Sequence, residues 1–167
     1  RVAPYLWQKH NVASTIMIEP RRLAAKAAAE RIAFETNTKI GQQIGFQVRF
    51  ESRHSAETKI KIVTPGILLR QYLEDPFLEN INLIIFDEFH ERNYQTDLLL
   101  ALSRLLQQTV RPDLRIIVMS ATLDGPELSR AFDDCPFISS KGRSFPVSLR
   151  YRPSKSSERP EESVVAA

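Results

Sequence analysis

Asp87-Glu88-Phe89-His90 concentrates more potential chemistry than any other stretch of this 167-residue sequence. It directly follows Leu83-Ile84-Ile85-Phe86, the most hydrophobic short run of the chain. A carboxylate at the end of a buried strand can hold a Mg²⁺ ion, mostly through water, beside a triphosphate. A second carboxylate next to it can orient and deprotonate an attacking water. Acidic residues also end strands for purely structural reasons. Asp-Glu-x-His, however, arises by chance in a chain of this length on the order of 1% of the time at ordinary compositions, and its place after the greasiest run favours chemistry.

Other chemistries fail on spacing. A zinc-protease helix needs a second histidine four residues after the first, and Tyr94 stands there after His90. His10 and His54 have no ligand-like neighbours in sequence, and the single cysteine, Cys135, excludes an internal disulfide framework. Further polar groups that could act are Pro20-Arg21-Arg22, Thr64-Pro65-Gly66 and Ser120-Ala121-Thr122. The arginine pair is unfavourably placed for the dipole of the helix it opens, which weakens a purely structural reading. Ser120 and Thr122 could equally cap a following helix.

These groups must be positioned by an alternation of short apolar strands and helices. Thr15–Ile18 is an apolar burst closed by Glu19-Pro20, and an alanine-rich helix containing Leu23, Ala27 and Ile32 runs from Arg21 to about Phe34. Ile44–Phe50 and Lys59–Val63 alternate as half-buried strands. A helix runs from Thr64, its expected N-cap, with Pro65 at the first helical position, to about Leu73. Another begins at about Thr96, capped there or at Asp97, with Leu98, Leu99, Leu102, Leu105 and Leu106 on a broad apolar face. Arg115–Met119 is a further strand, followed by a short helix over about Pro126–Phe132 and apolar segments near Phe137-Ile138 and Val147–Tyr151. From Arg152 the composition turns to Pro, Ser and charge, as in a linker. Continuous apolar strands separated by helices predict an α/β domain with a mainly parallel sheet covered on both faces. Ligands of such sheets bind outside the carboxyl ends of the strands, where all four polar motifs fall.

Composition sets the outer bounds. Apolar residues at 43% and charged residues at 26% exclude wholesale disorder. A net charge of +3 permits nucleic-acid contact without requiring it. No stretch reaches the roughly 18 apolar residues of a membrane span, and the first ten residues read like part of a helix rather than a signal peptide.

Together, Asp87–His90, Ser120–Thr122 and Pro20–Arg22 resemble the Walker B, coupling and early nucleic-acid motifs of DEAH-box helicases of superfamily 2. The strings Glu88-Phe89-His90-Glu91-Arg92 and Gly142–Val147 are similar to the bacterial HrpB type in particular, whose Phe replaces the usual alanine at position 89. The likeness covers about Ile16 to Tyr151. It implies a three-layer RecA-like ATP-binding domain over residues 1–151, and a linker with the start of a second RecA-like domain over residues 152–167. It further implies an ATP-dependent helicase of the bacterial cytoplasm, acting on RNA rather than DNA, with ATP and Mg²⁺ as cofactors and a second RecA-like domain of the same polypeptide as partner.

The residue roles implied by the resemblance are specific. Asp87 would bind Mg²⁺ through water, Glu88 would activate the hydrolytic water, and His90 would link the ATP site to Ser120 and Thr122. Arg21, Arg22, Thr64 and Gly66 would touch the backbone of one nucleic-acid strand, though Pro65 supplies no N–H there. A phosphate loop needs Gly-x-x-x-x-Gly-Lys, and none of the five glycines precedes a lysine. The expectation is therefore a domain lacking its first strand and phosphate loop, cut just downstream of them. The alternative is a non-enzymatic nucleic-acid-binding or scaffold domain that has lost the loop.

Overall fold

The computed structural model describes residues 1–12, 14–122, 129–130, 132 and 135–140. The chain divides into two compact units, Arg1–Asp124 and Gly125–Ala167. The helix expected at Pro126–Phe132, the segment Val147–Tyr151, the Gly142–Val147 string and the linker lie wholly or largely outside the described residues. Phe137 and Ile138 belong to no helix or strand.

The first unit carries six strands: β1 (Thr15–Ile18), β2 (Ile44–Val48), β3 (Glu51–Arg53), β4 (Ile60–Val63), β5 (Leu83–Phe86) and β6 (Arg115–Val118). They form one sheet in the order β3-β2-β4-β1-β5-β6, parallel throughout except for the β2–β3 hairpin. The expected strand Ile44–Phe50 is thus a shorter strand plus a turn, with Phe50 at φ 71° reversing the chain into β3. Four helices accompany the sheet: α1 (Val2–His10), α2 (Arg22–Glu35), α3 (Pro65–Glu74) and α4 (Tyr94–Thr109).

Strand side chains alternate between the two faces. Met17, Phe46, Ile62 and Ile85 form one buried cluster with Ala3 of α1 and with Ala25, Ala29, Ile32 and Ala33 of α2. The 25-29-32-33 spacing is a helical stripe, and its alanines let α2 lie close to the sheet. Leu23, on the other side of that helix, is 84% exposed.

The alternate residues Ile16, Ile18, Ile84 and Phe86 are fully buried on the opposite face. There α4 packs over β5 and β6, and α3 packs on α4. Tyr72 of α3 and Ser103 of α4 share a buried hydrogen bond of 2.8 Å between their hydroxyls. Burial pushes the Tyr72 phenol up from its ordinary pKa.

The inward stripe of α4 differs from the expected leucine face. Thr96, Leu99, Leu100, Ser103 and Leu106 are buried, whereas Leu98 and Leu105 are exposed. The helix also starts two residues earlier than expected. Asn93 is its N-cap and accepts a 2.9 Å hydrogen bond from the Thr96 amide. Thr64 precedes α3 in extended backbone but makes no side-chain cap; Pro65 at the first position instead removes a donor that would otherwise need one.

The two cap assignments for α4 separate by mutation. Asn93→Ala is expected to cost about 1 kcal/mol. Thr96 Oγ1 is buried without a hydrogen-bond partner, so Thr96→Val should leave stability unchanged or raise it. Urea unfolding midpoints check this, and a loss in Thr96→Val with none in Asn93→Ala would return the cap to Thr96.

Candidate active site and nucleic-acid cleft

The parallel register sets four strand ends side by side. Val63, Ile18, Phe86 and Val118 are mutually aligned across β4, β1, β5 and β6. The ladder continues one residue further: Glu19 N–H donates to Val63 O at 2.9 Å, Asp87 N–H to Ile18 O at 3.0 Å, and Met119 N–H to Phe86 O at 2.8 Å. Thr64, Glu19, Asp87 and Ser120 therefore stand on one edge of the sheet, as the sequence led us to expect for three of them.

Asp87 is half-buried, and its Oδ1 accepts the Glu88 amide at 2.9 Å. Burial raises its pKa, opposed by that amide and reinforced by the charge of Glu88. Glu88 adopts a left-handed backbone, φ 50° and ψ 38°, an uncommon conformation for a residue with a Cβ. The reversal starts a 3₁₀ turn, Phe89–Glu91. Phe89 is buried against Phe86 edge-to-face, and its amide donates to Met119 O at 3.1 Å. These bonds fix the turn against the end of β6.

His90 stands between two of the groups named from sequence. Its Nε2 lies 3.4 Å from Glu88 Oε2, and its Nδ1 lies 3.3 Å from Ser120 Oγ. The arrangement is satisfied when Nε2 carries a proton toward the carboxylate and the Ser120 hydroxyl donates to Nδ1. Ser120 Oγ in turn accepts the Thr122 amide at 3.3 Å. Thr122 reaches this chain through its backbone, while the helix that Ser120 and Thr122 were alternatively expected to cap lies outside the described residues.

Sequence reasoning missed Glu19. It is only 5% exposed, and its pKa is raised to about 7, first by burial and then by the charge of Asp87. A hydrogen bond from the Arg21 backbone amide opposes the rise. The signal was present, since a glutamate directly after an apolar strand mirrors Asp87 after β5, but Pro20 drew attention to the chain reversal instead.

Arg21, Arg22, Thr64 and Gly66 all line one open cleft of about 720 Å³ beside the carboxylates. Its walls also include Arg49 and Arg70, whose charges the sequence reading did not collect there. Nothing lies within 4 Å of where a Cβ on Gly66 would sit, so no packing within the domain demands glycine at that position. Arg21 is not free in the cleft. Its guanidinium forms a forked pair with Glu91, at 2.8 Å (Nη2–Oε1) and 3.2 Å (Nε–Oε2).

A largely parallel sheet with paired carboxylates at its carboxyl edge and a basic cleft alongside defines a RecA-like domain of the helicase class. Residues 2–131 match the DEAD/DEAH box helicase family, and the chain belongs to that family. It is 43% identical over 152 residues to the ATP-dependent RNA helicase HrpB of Escherichia coli (strain K12), covering 91% of this chain and 19% of that protein. It is also 43% identical over 141 residues to the probable ATP-dependent RNA helicase DHX34 of Mus musculus, covering 84% of this chain and 12% of that one. A crystal structure of Escherichia coli DEAH/RHA helicase HrpB superposes with a TM-score of 0.86 at 40% identity, over 98% of this chain and 21% of that structure. A second, of E. coli DExH-box NTPase HrpB, gives a TM-score of 0.77 at 42% identity, over 92% of this chain and 19% of that one. The chain thus spans about a fifth or less of these relatives. Among the described residues, no helix is long and apolar enough to cross a membrane.

Glu19 makes stability depend on pH in a defined direction. Its carboxyl titrates near 4.5 in the unfolded chain and near 7 in the folded one. Between those values the folded state holds a proton that the unfolded state has released, so stability falls as pH rises through the window. Glu19→Gln should remove this slope, which amounts to on the order of 3 kcal/mol across the window. Denaturant titrations from pH 4 to 8 check it; parallel profiles for the two proteins would contradict the assignment.

Proposed function

We propose that this chain supplies much of the first RecA-like domain of an ATP-dependent RNA helicase, with residues 1–151 in that domain and residues 152–167 leading into a second. The observation that carries the reading is the chain Glu88–His90–Ser120 at the edge where Asp87 stands, beside a basic cleft. In the intact protein this edge would hydrolyse ATP while the cleft holds one strand. A bacterial cytoplasmic setting follows from likeness to the HrpB type alone.

The carboxylates fit a divalent cation. Asp87 and Glu19 are packed near one another with burial raising both pKa values, a penalty that a hard cation with oxygen ligands would relieve. Among the described residues no three candidate ligands converge to enclose an ion. That suits Mg²⁺, which retains waters and takes one or two carboxylates together with substrate phosphates. Asp87 would hold the ion, which when bound would neutralise charge across the phosphates. ATP finds only part of its site here, because the 167 residues contain no Gly-Lys phosphate loop. A lysine-bearing loop elsewhere in the intact protein completes the proposal.

The chain's own residues then have distinct tasks. Glu88 orients the attacking water and takes its proton. The left-handed backbone at Glu88 turns the chain out of the strand, and His90 Nε2, 3.4 Å from Glu88 Oε2, is placed to orient that carboxylate. Ser120 and Thr122 register any movement of His90 at the end of β6. Arg22, Thr64 and Gly66 hold phosphate and sugar, contacts that position a strand without reading its sequence.

In the intact protein, Glu88→Gln should lower ATP turnover by about 10²-fold or more while ATP affinity stays within a few-fold. Arg22→Ala should weaken single-stranded RNA binding and reduce the slope of log K against log salt by about 1. Steady-state ATPase assays with nucleotide-binding titrations check the first, and salt-dependent anisotropy the second. Undiminished turnover in Glu88→Gln removes the hydrolytic role.

A further inference from the structure

We propose that Glu91 is a positioning residue that competes with nucleic-acid phosphate for Arg21, so that strand binding releases the turn carrying Glu88 and His90. The inference rests on the nucleic-acid reading of the cleft. Arg70, in the cleft, is paired through Nε with Glu74 on its own helix. The Arg21 guanidinium is already committed to a carboxylate through both Nε and Nη2. That two-pronged geometry is also the one a phosphate would take from an arginine. Both partners line the cleft, and the Arg21 side chain is 72% exposed against 26% for Glu91. A phosphate entering the cleft therefore reaches Arg21 from the solvent side and meets the charge of Glu91 behind it. A phosphate that takes the Nε–Nη2 edge displaces Glu91 from it.

The consequence travels because Glu91 shares its 3₁₀ turn with His90. The Glu91 amide donates to Glu88 O at 2.9 Å, and His90 faces Glu88 on one ring nitrogen and Ser120 on the other. With Arg21 engaged by Glu91, the turn is tethered to the start of α2. With Arg21 engaged by phosphate, that tether is gone, and the turn keeps its contacts with Phe86, with the end of β6 and, through Arg92, with Asp97. By linkage, whatever the Glu91 pair costs the binding of a strand is returned as a change in the turn when the strand binds.

The test uses the intact protein and a fluorescein-labelled uridine 20-mer, with binding read by anisotropy at low salt and without nucleotide. Glu91→Gln keeps the shape of the side chain and removes its charge. Exposed pairs of this kind are worth little, so the expected gain in RNA affinity is about 2–5-fold. Arg21→Ala should weaken binding, and Arg21→Ala/Glu91→Gln should match Arg21→Ala, because the gain requires the arginine. The RNA concentration giving half-maximal ATPase stimulation should fall in Glu91→Gln by the same factor, a change that a merely structural role would not produce.

Unchanged or weaker RNA binding in Glu91→Gln overturns the proposal. A gain that persists without Arg21 also overturns it, reducing the effect to general charge repulsion. Should neither Arg21→Ala nor Arg22→Ala alter RNA binding, the nucleic-acid reading of the cleft itself fails, and that outcome is distinct from the other two. Glu91→Ala, with the same expected direction, serves as the second variant if the glutamine protein does not fold.

Discussion

The parallel pairing of β1 with both β4 and β5 is the constraint on which the site depends. Ile18 lies opposite Val63 on one side and Phe86 on the other, and all three are fully buried. Because side chains alternate with a period of two, a slip of one residue would turn the Ile16 and Ile18 row toward α1 and α2 and exchange every core contact of the strand. Core packing therefore fixes where each strand stops. The residues after the stops inherit that position, so Glu19, Thr64 and Asp87 are placed by the hydrophobic residues before them.

That placement is unfavourable for the groups themselves. Glu19 and Asp87 are both desolvated at this edge, Glu19 in the presence of the charge of Asp87 and Asp87 in the presence of that of Glu88. A domain selected for stability alone would put neutral side chains at these stops. Glu88 adds a left-handed backbone to the same few residues. Strain, like charge and desolvation at one strand end are tolerated because the buried sheet beneath them over-determines the backbone. A bound cation would relieve the last two of these costs.

Much of this was legible in the sequence. The strands β1, β5 and β6 could be read because each is a short apolar run after a polar break, and β4 because it alternates; carboxyl-edge chemistry followed from their parallel arrangement. The paired carboxylates and His90 were identified by spacing and Ser120 by the family resemblance, and the structure brings those four together. What escaped was decided by tertiary contact. Leu98 and Leu105 look like core residues until the helix start is known, and that start depends on Asn93 Oδ1 accepting the Thr96 amide. Arg49 and Arg70 reach the cleft from a strand end and a helix far apart in sequence. The pairing of Arg21 with Glu91 joins residues seventy apart, and no local pattern carries it.

The turn Phe89–Glu91 explains why two chemistries can share so little chain. Successive residues of a 3₁₀ helix point about 120° apart, so three residues address three directions at once. Phe89 goes into the core against Phe86, His90 goes to Glu88 and Ser120, and Glu91 goes to Arg21 in the cleft. The buried phenylalanine is the pivot, anchored by its amide on Met119 O. Residues three apart in a 3₁₀ helix eclipse one another, so it is the left-handed backbone of Glu88, just outside the turn, that separates its carboxylate from that of Glu91. Phe89, buried edge-to-face against Phe86, fills the space under the turn and seats His90 and Glu91 on one anchored segment.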